Sequence, residues 1–246
     1  MSQVHFVLQG KGGVGKSFVA SLLVQYFRSK GAPVVAVDTD PVNTTLSGYK
    51  AYDTKQIVLL EDDRLIEERF DSLMELIKDL SDTHIVIDSG ASTFLPLSNY
   101  LKENDAINMI LSWGKQALIH TVVTGGQALE DTLSGFAALA KQMPDEVKIV
   151  VWLNKFFGDI QVDGKSFEQM KAYQNYNHRV HAVIEIPRYT GSTFGQDIQA
   201  MLDRKLTFDE AIASPEFRLM SKSRLTKVKE TIFSEIDSQL SLPLEA

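Results

Sequence analysis

The amino-acid sequence predicts an α/β protein with a doubly wound, mostly parallel sheet and helices on both faces. Short β-branched apolar segments alternate with segments of helical periodicity, which is the pattern of βαβ units. The apolar segments are continuous, as expected for strands that are covered on both faces. The 246 residues are 44% hydrophobic and 23% charged, which is enough to bury a large core. We therefore expect a single domain over residues 1–246.

The strands and helices follow from these periodicities. Strands are predicted over residues 4–8, 34–37, 57–60, 85–87, 107–111, 148–153 and 182–186. Helices are predicted over residues 17–30, 65–80, 127–141 and 194–203, and Gly31 fits the position just after a helix C-terminus. Ser214 and Pro215 fit the N-cap and first turn of a C-terminal helix at about 215–240, ending before Pro243.

The composition excludes several classes of protein. The chain has no cysteine, which excludes disulfides, thiolate nucleophiles and Cys-ligated zinc or iron–sulfur centres, and it fits the cytoplasmic location that we expect. A net charge of −7 makes the chain as a whole a poor partner for nucleic acid, although local patches can still matter. No apolar segment approaches the roughly 18–20 residues that span a bilayer, and we expect no signal peptide.

The phosphate-binding motif G-x-x-x-x-G-K-[ST] matches residues 10–17, GKGGVGKS, at every specified position. Glycines let successive backbone N–H groups turn towards phosphate oxygens, and the helix that begins near Gly15 adds its positive dipole end. Lys16 would reach the β- and γ-phosphates, and the Ser17 hydroxyl would ligate Mg²⁺. The alternative is a chance glycine-rich turn, which the strand before the motif and the helix after it make less attractive.

Acidic side chains follow two of the predicted strands. Asp38 and Asp40 follow strand 34–37, and their spacing puts both on one face if the strand continues. Asp88 follows strand 85–87 in the Walker B pattern, which predicts that it holds Mg²⁺ directly or through water, and Gly90 would let the next loop move. Open α/β sheets bind ligands at the carboxyl ends of their strands. The alternative for these acids is a role in turns or helix caps.

Residues 11–17, KGGVGKS, together with the D-x-D-P sequence from Asp38, resemble the deviant Walker A motif and first switch of the ParA/MinD superfamily of P-loop ATPases. The resemblance implies ATP and Mg²⁺ as cofactors, with Asp38 supporting the metal or the P-loop lysine. It implies catalytic roles for Lys16, for Asp40 as the residue that positions the attacking water, and for Lys11, which would cross a homodimer to the partner's nucleotide. The alternative is that Lys11 is a solvated lysine of the loop without a catalytic role. The implied nucleotide contacts are Gly10, Lys11, Gly12, Gly13, Val14, Gly15, Lys16, Ser17 and Phe18.

The nucleobase site is also predicted by resemblance. The superfamily places an asparagine after the strand that corresponds to 148–153, and Asn154 stands there, where its amide offers both a donor and an acceptor to adenine. Pro187, after strand 182–186, matches a proline that often lies beside the base. The resemblance favours ATP over GTP, and no aspartate lies two residues after Asn154.

The C-terminal helix leaves three interpretations open. Residues 216–230 carry a net charge of +3, residues 231–246 a net charge of −3, and an apolar stripe runs along both. The helix either packs on the sheet, or presents a basic surface to DNA backbone, or lies on a membrane, which the acidic end makes less favoured. His178 and His181 lack a carboxylate partner pattern for zinc and are expected at the surface.

Within the superfamily, residues 38–43, DTDPVN, and the later Gly48-Tyr49-Lys50 resemble the TraL-type proteins of plasmid conjugal transfer. That resemblance implies an accessory ATPase of plasmid transfer or maintenance with a plasmid-encoded protein partner. The superfamily resemblance implies a switch that dimerises with ATP and hydrolyses it slowly. Asn43 would be a polar switch residue. Two other functions remain open: an ATP-dependent ligase or kinase on the same scaffold, similar to dethiobiotin synthetase, and a module that binds ATP without cleaving it.

Overall fold

The computed structural model describes residues 2–40, 45–61, 64–189 and 192–240. Asn43 and the Pro41 of the D-x-D-P sequence lie outside the described residues.

A seven-stranded sheet forms the centre of the molecule, with the strand order β3-β2-β6-β1-β7-β8-β9, and every adjacent pair is parallel. The predicted fold class is therefore confirmed. Two further short strands, β4 and β5, pair antiparallel in a separate ribbon. The strands are β1 Gln3–Val7, β2 Val34–Asp38, β3 Lys55–Gln56, β4 Leu60–Glu61, β5 Arg64–Leu65, β6 His84–Asp88, β7 Gln116–Thr124, β8 Lys148–Asn154 and β9 Val180–Ile186.

Helices cover both faces of this sheet. They are α1 Lys16–Ser29, α2 Glu67–Asp79, α3 Phe94–Glu103, α4 Ala106–Ser112, α5 Leu129–Gln142, α6 Lys171–Tyr176, α7 Ser192–Asp203, α8 Phe208–Ala213 and α9 Leu219–Leu240. One hydrophobic core lies between the sheet and α1, α7, α8 and α9. Two others lie on the opposite face, beneath α2 to α4 and beneath α5 and α6. The organisation of residues 1–246 as one domain stays a prediction.

The predicted strand at residues 107–111 is wrong, because this segment is helix α4. Its buried residues Ala106, Ile107 and Ile110 recur at helical spacing, while Met109 between them is 46% exposed. The strand next to β1 is instead β7, which contains His120, Thr121 and Thr124 and was not predicted. The predicted strand at residues 57–60 is also misplaced, since β3 ends at residue 56 and β4 begins at residue 60.

The C-terminal helix begins at Leu219 rather than at Pro215. Ser214 is the residue that ends α8, a helix whose Thr207 and Glu210 form a capping box. The apolar stripe of α9 is buried against β9, α7 and α8, so the packed interpretation of this helix is the one observed. None of the helices in the described ranges combines the length and apolar character needed to cross a membrane.

Candidate functional site

The loop between β1 and α1 has the shape that its glycines predict. Gly13 and Gly15 have φ angles of 73° and 106°, in the left-handed region that L side chains rarely adopt. Helix α1 then begins at Lys16, so the unpaired N–H groups of its first turn face the loop. The Lys16 ammonium donates to the Lys11 carbonyl at 2.9 Å. Burial lowers the pKa of Lys16, while the nearby Asp88 and Asp40 raise it.

Gln9 fixes the start of this loop to the rest of the fold. Its side-chain carbonyl accepts from the Gly10 N–H at 2.8 Å, and its amide donates to the Val122 carbonyl at 2.9 Å and the Thr132 carbonyl at 3.1 Å. A Cβ on Gly135 of α5 would lie 2.0 Å from the Gln9 carbonyl oxygen, so a larger residue there would displace Gln9 from its hydrogen bonds. The loop is thereby attached to β7 and α5 through one buried side chain.

A cavity of about 380 Å³ opens above the loop. The loop contributes Gly12, Gly13, Gly15, Lys16, Ser17 and Phe18 to its walls, and the rest of the chain contributes Asp40, Thr45, Tyr49, Ala91, Leu202 and Lys205. The wall at Tyr49 is rigid because its ring stacks on that of Tyr52. The Tyr52 hydroxyl in turn lies 2.6 Å from the hydroxyl of Ser21 in α1. A cradle of N–H groups with a buried lysine fits a polyphosphate.

Asp88 is the carboxylate best suited to a metal ion. Burial raises its pKa to about 7, although the neighbouring Ser17 hydroxyl and Lys16 favour its charged form. Neither of its buried oxygens has a hydrogen bond of good geometry within the described residues. A divalent cation would supply the missing partner, so Asp88 and Ser17 fit the Mg²⁺ site predicted from the sequence.

Asp38 is fully buried, and the loop after β2 uses both of its carboxylate oxygens. One oxygen accepts from the Asp40 N–H at 3.1 Å and the other from the Ser47 N–H at 2.9 Å. Burial raises the pKa of Asp38, and these hydrogen bonds lower it in part. Asp38 therefore holds the backbone at Asp40, which lines the cavity, and at Ser47, and its predicted support of the metal would act through these contacts.

Asp40 and the loop after β6 are in close contact. A Cβ on Gly90 would lie 2.7 Å from the carboxyl carbon of Asp40. The two loops are also joined through Thr39, whose N–H and hydroxyl both donate to the Asp88 carbonyl at 2.9 Å. Asp40 lines the cavity together with Lys16.

A second, apolar cavity of about 190 Å³ adjoins the first and shares Gly13, Gly15, Phe18 and Leu202 with it. Asn154 and Pro187 both line it, so the structure brings the two predicted base contacts together. The Asn154 amide donates to the Val14 carbonyl at 2.9 Å, and its oxygen accepts from the Phe156 N–H at 3.1 Å. Each end of the amide keeps one further donor or acceptor for a base.

Lys11 does not line the cavity of about 380 Å³ above the loop, which we call the phosphate cavity. Its ammonium forms an ion pair with Asp131 of α5 at 2.7 Å, and its side chain is 46% exposed. Both residues line a groove on the other side of the loop, beside Phe94, Leu95 and Pro96. Of the predicted catalytic residues, the structure therefore brings Lys16 and Asp40 together and places Lys11 on an exposed face.

Sequence reasoning missed several residues of this site. Gln9 and Asp131 have no motif of their own, and Leu202 and Lys205 lie far along the chain from the loop that they face. Tyr49 belongs to a tripeptide that the sequence singled out, but nothing there indicated a wall of the cavity. Leu202 lies in the last turn of α7 and Lys205 just after that helix, and neither belongs to a motif that could have indicated the cavity.

The fold and the site define a P-loop nucleotide-binding protein. Residues 5–200 match the model of the CobQ/CobB/MinD/ParA nucleotide binding domain, and the chain belongs to this family.

Two Escherichia coli proteins named Protein TraL are similar to this chain along nearly its whole length. They are 47% and 45% identical to it over 238 residues, covering 97% of this chain and 98% of each relative. Among solved structures, the MinC:MinD cell division protein complex of Aquifex aeolicus matches with a TM-score of 0.52 at 16% identity, over 99% of this chain and 98% of the other. That likeness supports the fold alone.

Proposed function

We propose that the protein is a Mg²⁺-dependent ATPase that dimerises with ATP, hydrolyses it slowly and returns to the monomer with ADP. The observation that carries this proposal is the division between the two loop lysines. Lys16 is buried beside the phosphate cavity, whereas Lys11 points away from it on an exposed face. In that position the lysine can meet a nucleotide that a second copy brings to the exposed face.

The chain's own groups supply most of the binding chemistry. The N–H groups of residues 12–18 and the Lys16 ammonium hold the phosphates, and Ser17 and Asp88 hold Mg²⁺, with Asp38 acting through the loop. The metal would neutralise charge that develops on the β- and γ-phosphates. Asp40 orients the attacking water, and the partner's Lys11 approaches the transferring phosphate as an arginine finger does.

The switch consists of two connected loops. Because Thr39 donates twice to the Asp88 carbonyl, a γ-phosphate that orders the loop at Asp40 also orders the loop at Asp88 and Gly90. Loss of that phosphate releases both together. The output is a change in affinity for a partner rather than a chemical product.

The proposed nucleotide and the proposed biological role are supported by different observations. ATP is proposed over GTP because the family resemblance favours it and Asn154 and Pro187 line an apolar pocket next to the phosphate cavity. The similarity to the TraL proteins supports a role in plasmid transfer, partition or positioning in the cytoplasm, with a plasmid-encoded protein partner. Non-specific DNA remains a lesser candidate, since Arg224 and Lys229 of α9 are already paired with Asp197 and Asp209.

Titration of ATP and ADP into the wild-type protein and Lys16→Ala, with Mg²⁺, tests the core of the proposal. Lys16→Ala should lose nucleotide binding, whereas a matched exposed lysine variant, Lys50→Ala, should bind as the wild type does. Phosphate release without any acceptor molecule separates the switch from a ligase or kinase. Release only when a small-molecule acceptor is added would favour that rival, and binding with no release at all would favour a pure binding module.

A further inference from the structure

Lys205 enters the wall of the phosphate cavity from outside the matched family region, which ends at residue 200. Its ammonium lies 6.0 Å from the centre of the Tyr49 ring, and its stem passes over Gly48, where an added Cβ would lie 3.3 Å from the Lys205 Cγ. Within the described residues no carboxylate lies within ion-pair distance of it. A half-buried cation thus faces the cavity without an anionic partner from the described chain.

The backbone of Lys205 is in an unfavourable conformation. Its φ is 53°, and its N–H donates to Leu202 while the next N–H donates to Met201, which is the hydrogen-bond pattern of a Schellman motif. Glycine is the usual residue at this position because it has no Cβ to strain. The other described non-glycine residues with positive φ are all aspartates, a type that tolerates this region better than lysine does.

The loop that carries Lys205 is otherwise firmly held. Leu206 packs on the core beneath α1, and the Phe208 N–H donates to the Gln25 side chain of α1 at 2.8 Å. The strain is therefore local, and it is retained at a position where the side chain reaches the cavity. An unfavourable backbone that persists beside a binding site is a reason to suspect a function for its side chain.

We propose that Lys205 is a phosphate-binding residue, a second cation that this chain places on the polyphosphate of its own nucleotide, opposite Lys16. The inference rests on the proposed function for the identity of the nucleotide, but its chemistry requires only a polyphosphate. It extends the site beyond the loop of residues 10–18 to the connection between α7 and α8. Nucleotide binding would then fix this connection against Tyr49.

The test compares Lys205→Gln, Lys205→Arg and Lys205→Gly by isothermal titration with ATP, adenosine and pyrophosphate, each with Mg²⁺. Gln and Arg keep a side chain on the strained backbone, so they differ from each other mainly in charge. We expect Lys205→Gln to bind ATP and pyrophosphate about fivefold more weakly, Lys205→Arg to bind nearly as the wild type does, and adenosine affinity to stay unchanged. Lys50→Gln, an exposed neighbour outside the cavity, is the control and should bind as the wild type does.

Lys205→Gly separates the structural role from the binding role. It removes the backbone strain, so its urea midpoint should rise while its ATP affinity falls as in Lys205→Gln. Equal ATP affinity of the wild type and Lys205→Gln would overturn the inference and leave the proposed function intact. If the wild type binds pyrophosphate but not ATP, and Lys205→Gln weakens pyrophosphate binding, the inference stands and the ATP function fails.

Discussion

Lys11 and Asp131 are held together at 2.7 Å on an exposed face of the monomer, although Lys11 belongs to the phosphate-binding loop. Asp131 lies in the first turn of α5, the helix to which Gln9 attaches that loop. The contact keeps the lysine close to its own chain. A dimer in which Lys11 reaches the partner's nucleotide has to break this contact in both copies.

Asp131→Asn should therefore strengthen the ATP-bound dimer. Exposed ion pairs contribute about 0.2–1 kcal/mol each, and two are released per dimer, so the dimer dissociation constant should fall by roughly twofold to thirtyfold. Sedimentation equilibrium with ATP and Mg²⁺ measures it. Glu130→Gln removes a neighbouring charge from the same first turn without touching Lys11 and should leave the constant unchanged. A weaker dimer for Asp131→Asn would mean that Asp131 pairs with the partner instead.

Gly135→Ala should destabilise the protein, against the usual effect of this change inside a helix. Alanine normally stabilises a helix interior by about 1 kcal/mol relative to glycine, but here the new Cβ would meet the Gln9 carbonyl oxygen at 2.0 Å. We expect a loss of about 1–3 kcal/mol in urea unfolding. In a Gln9→Ala background the obstacle is gone, so the same change should be neutral or stabilising. Equal effects in both backgrounds would exclude the contact as the cause.

Gly90→Ala should slow hydrolysis more than it weakens binding. The added methyl would displace the Asp40 carboxyl carbon, which lies 2.7 Å from that position, while the loop of residues 10–18 is untouched. Phosphate release should fall at least about tenfold with the ATP dissociation constant within about threefold of wild type. Gly195→Ala, whose Cβ position meets no atom within 4 Å, is the matched control. Unchanged turnover in Gly90→Ala would remove Asp40 from the proposed hydrolysis.

Stability should fall as the pH drops below about 6.5, because two histidines are buried in the core. His120 accepts from the Trp152 indole N–H at 2.9 Å and lies 2.9 Å from a ring nitrogen of His5. Burial lowers the pKa of His120 to about 3 and that of His5 well below its usual value. The unfolded chain therefore binds more protons below pH 6.5, and the free energy of unfolding decreases there.

Urea unfolding between pH 7.5 and 5 measures this dependence. His5 and His120 contribute a slope of about 2 kcal/mol per pH unit near pH 5.5, and His84, whose pKa burial lowers to about 4, adds about 1. Asp88, whose pKa is raised to about 7, offsets about 1 by holding a proton in the folded state. A variant with both His5→Gln and His120→Gln should lose the part of the slope that these two histidines contribute and keep the part that comes from His84. If the free energy of unfolding of the wild type does not decrease below pH 6.5, the buried histidines are not neutral in the folded state.

The phosphate loop was predictable because its chemistry dictates its backbone. Positive φ at Gly13 and Gly15, and a helix beginning at Lys16, are local requirements that a motif can carry. The clustering of Asp38, Asp40 and Asp88 was also predictable, because parallel strands bring their carboxyl ends to one edge. The position of Lys205 beside the cavity was not predictable, because its approach to Gly48 joins positions far apart in the chain and depends on the course of α7.

The errors in the fold have a similar origin. Strand β7 was missed because His120, Thr121 and Thr124 interrupt its apolar run, yet they are buried with partners such as the Asn154 carbonyl for Thr124. Helix α4 was taken for a strand because the segment is short and two of its apolar residues, Ile107 and Ile110, are β-branched. In both cases tertiary contacts, rather than the local pattern, decided the element.

The central claim is an ATP-dependent dimer, and light scattering of Asp40→Ala during size-exclusion chromatography tests it most directly. This variant should bind ATP without hydrolysing it, so the dimer should persist on the column. The account predicts twice the 27.5 kDa chain mass with ATP and Mg²⁺, and a monomer with ADP or without nucleotide. A monomer mass with ATP bound, or the same dimer with ADP, would contradict it.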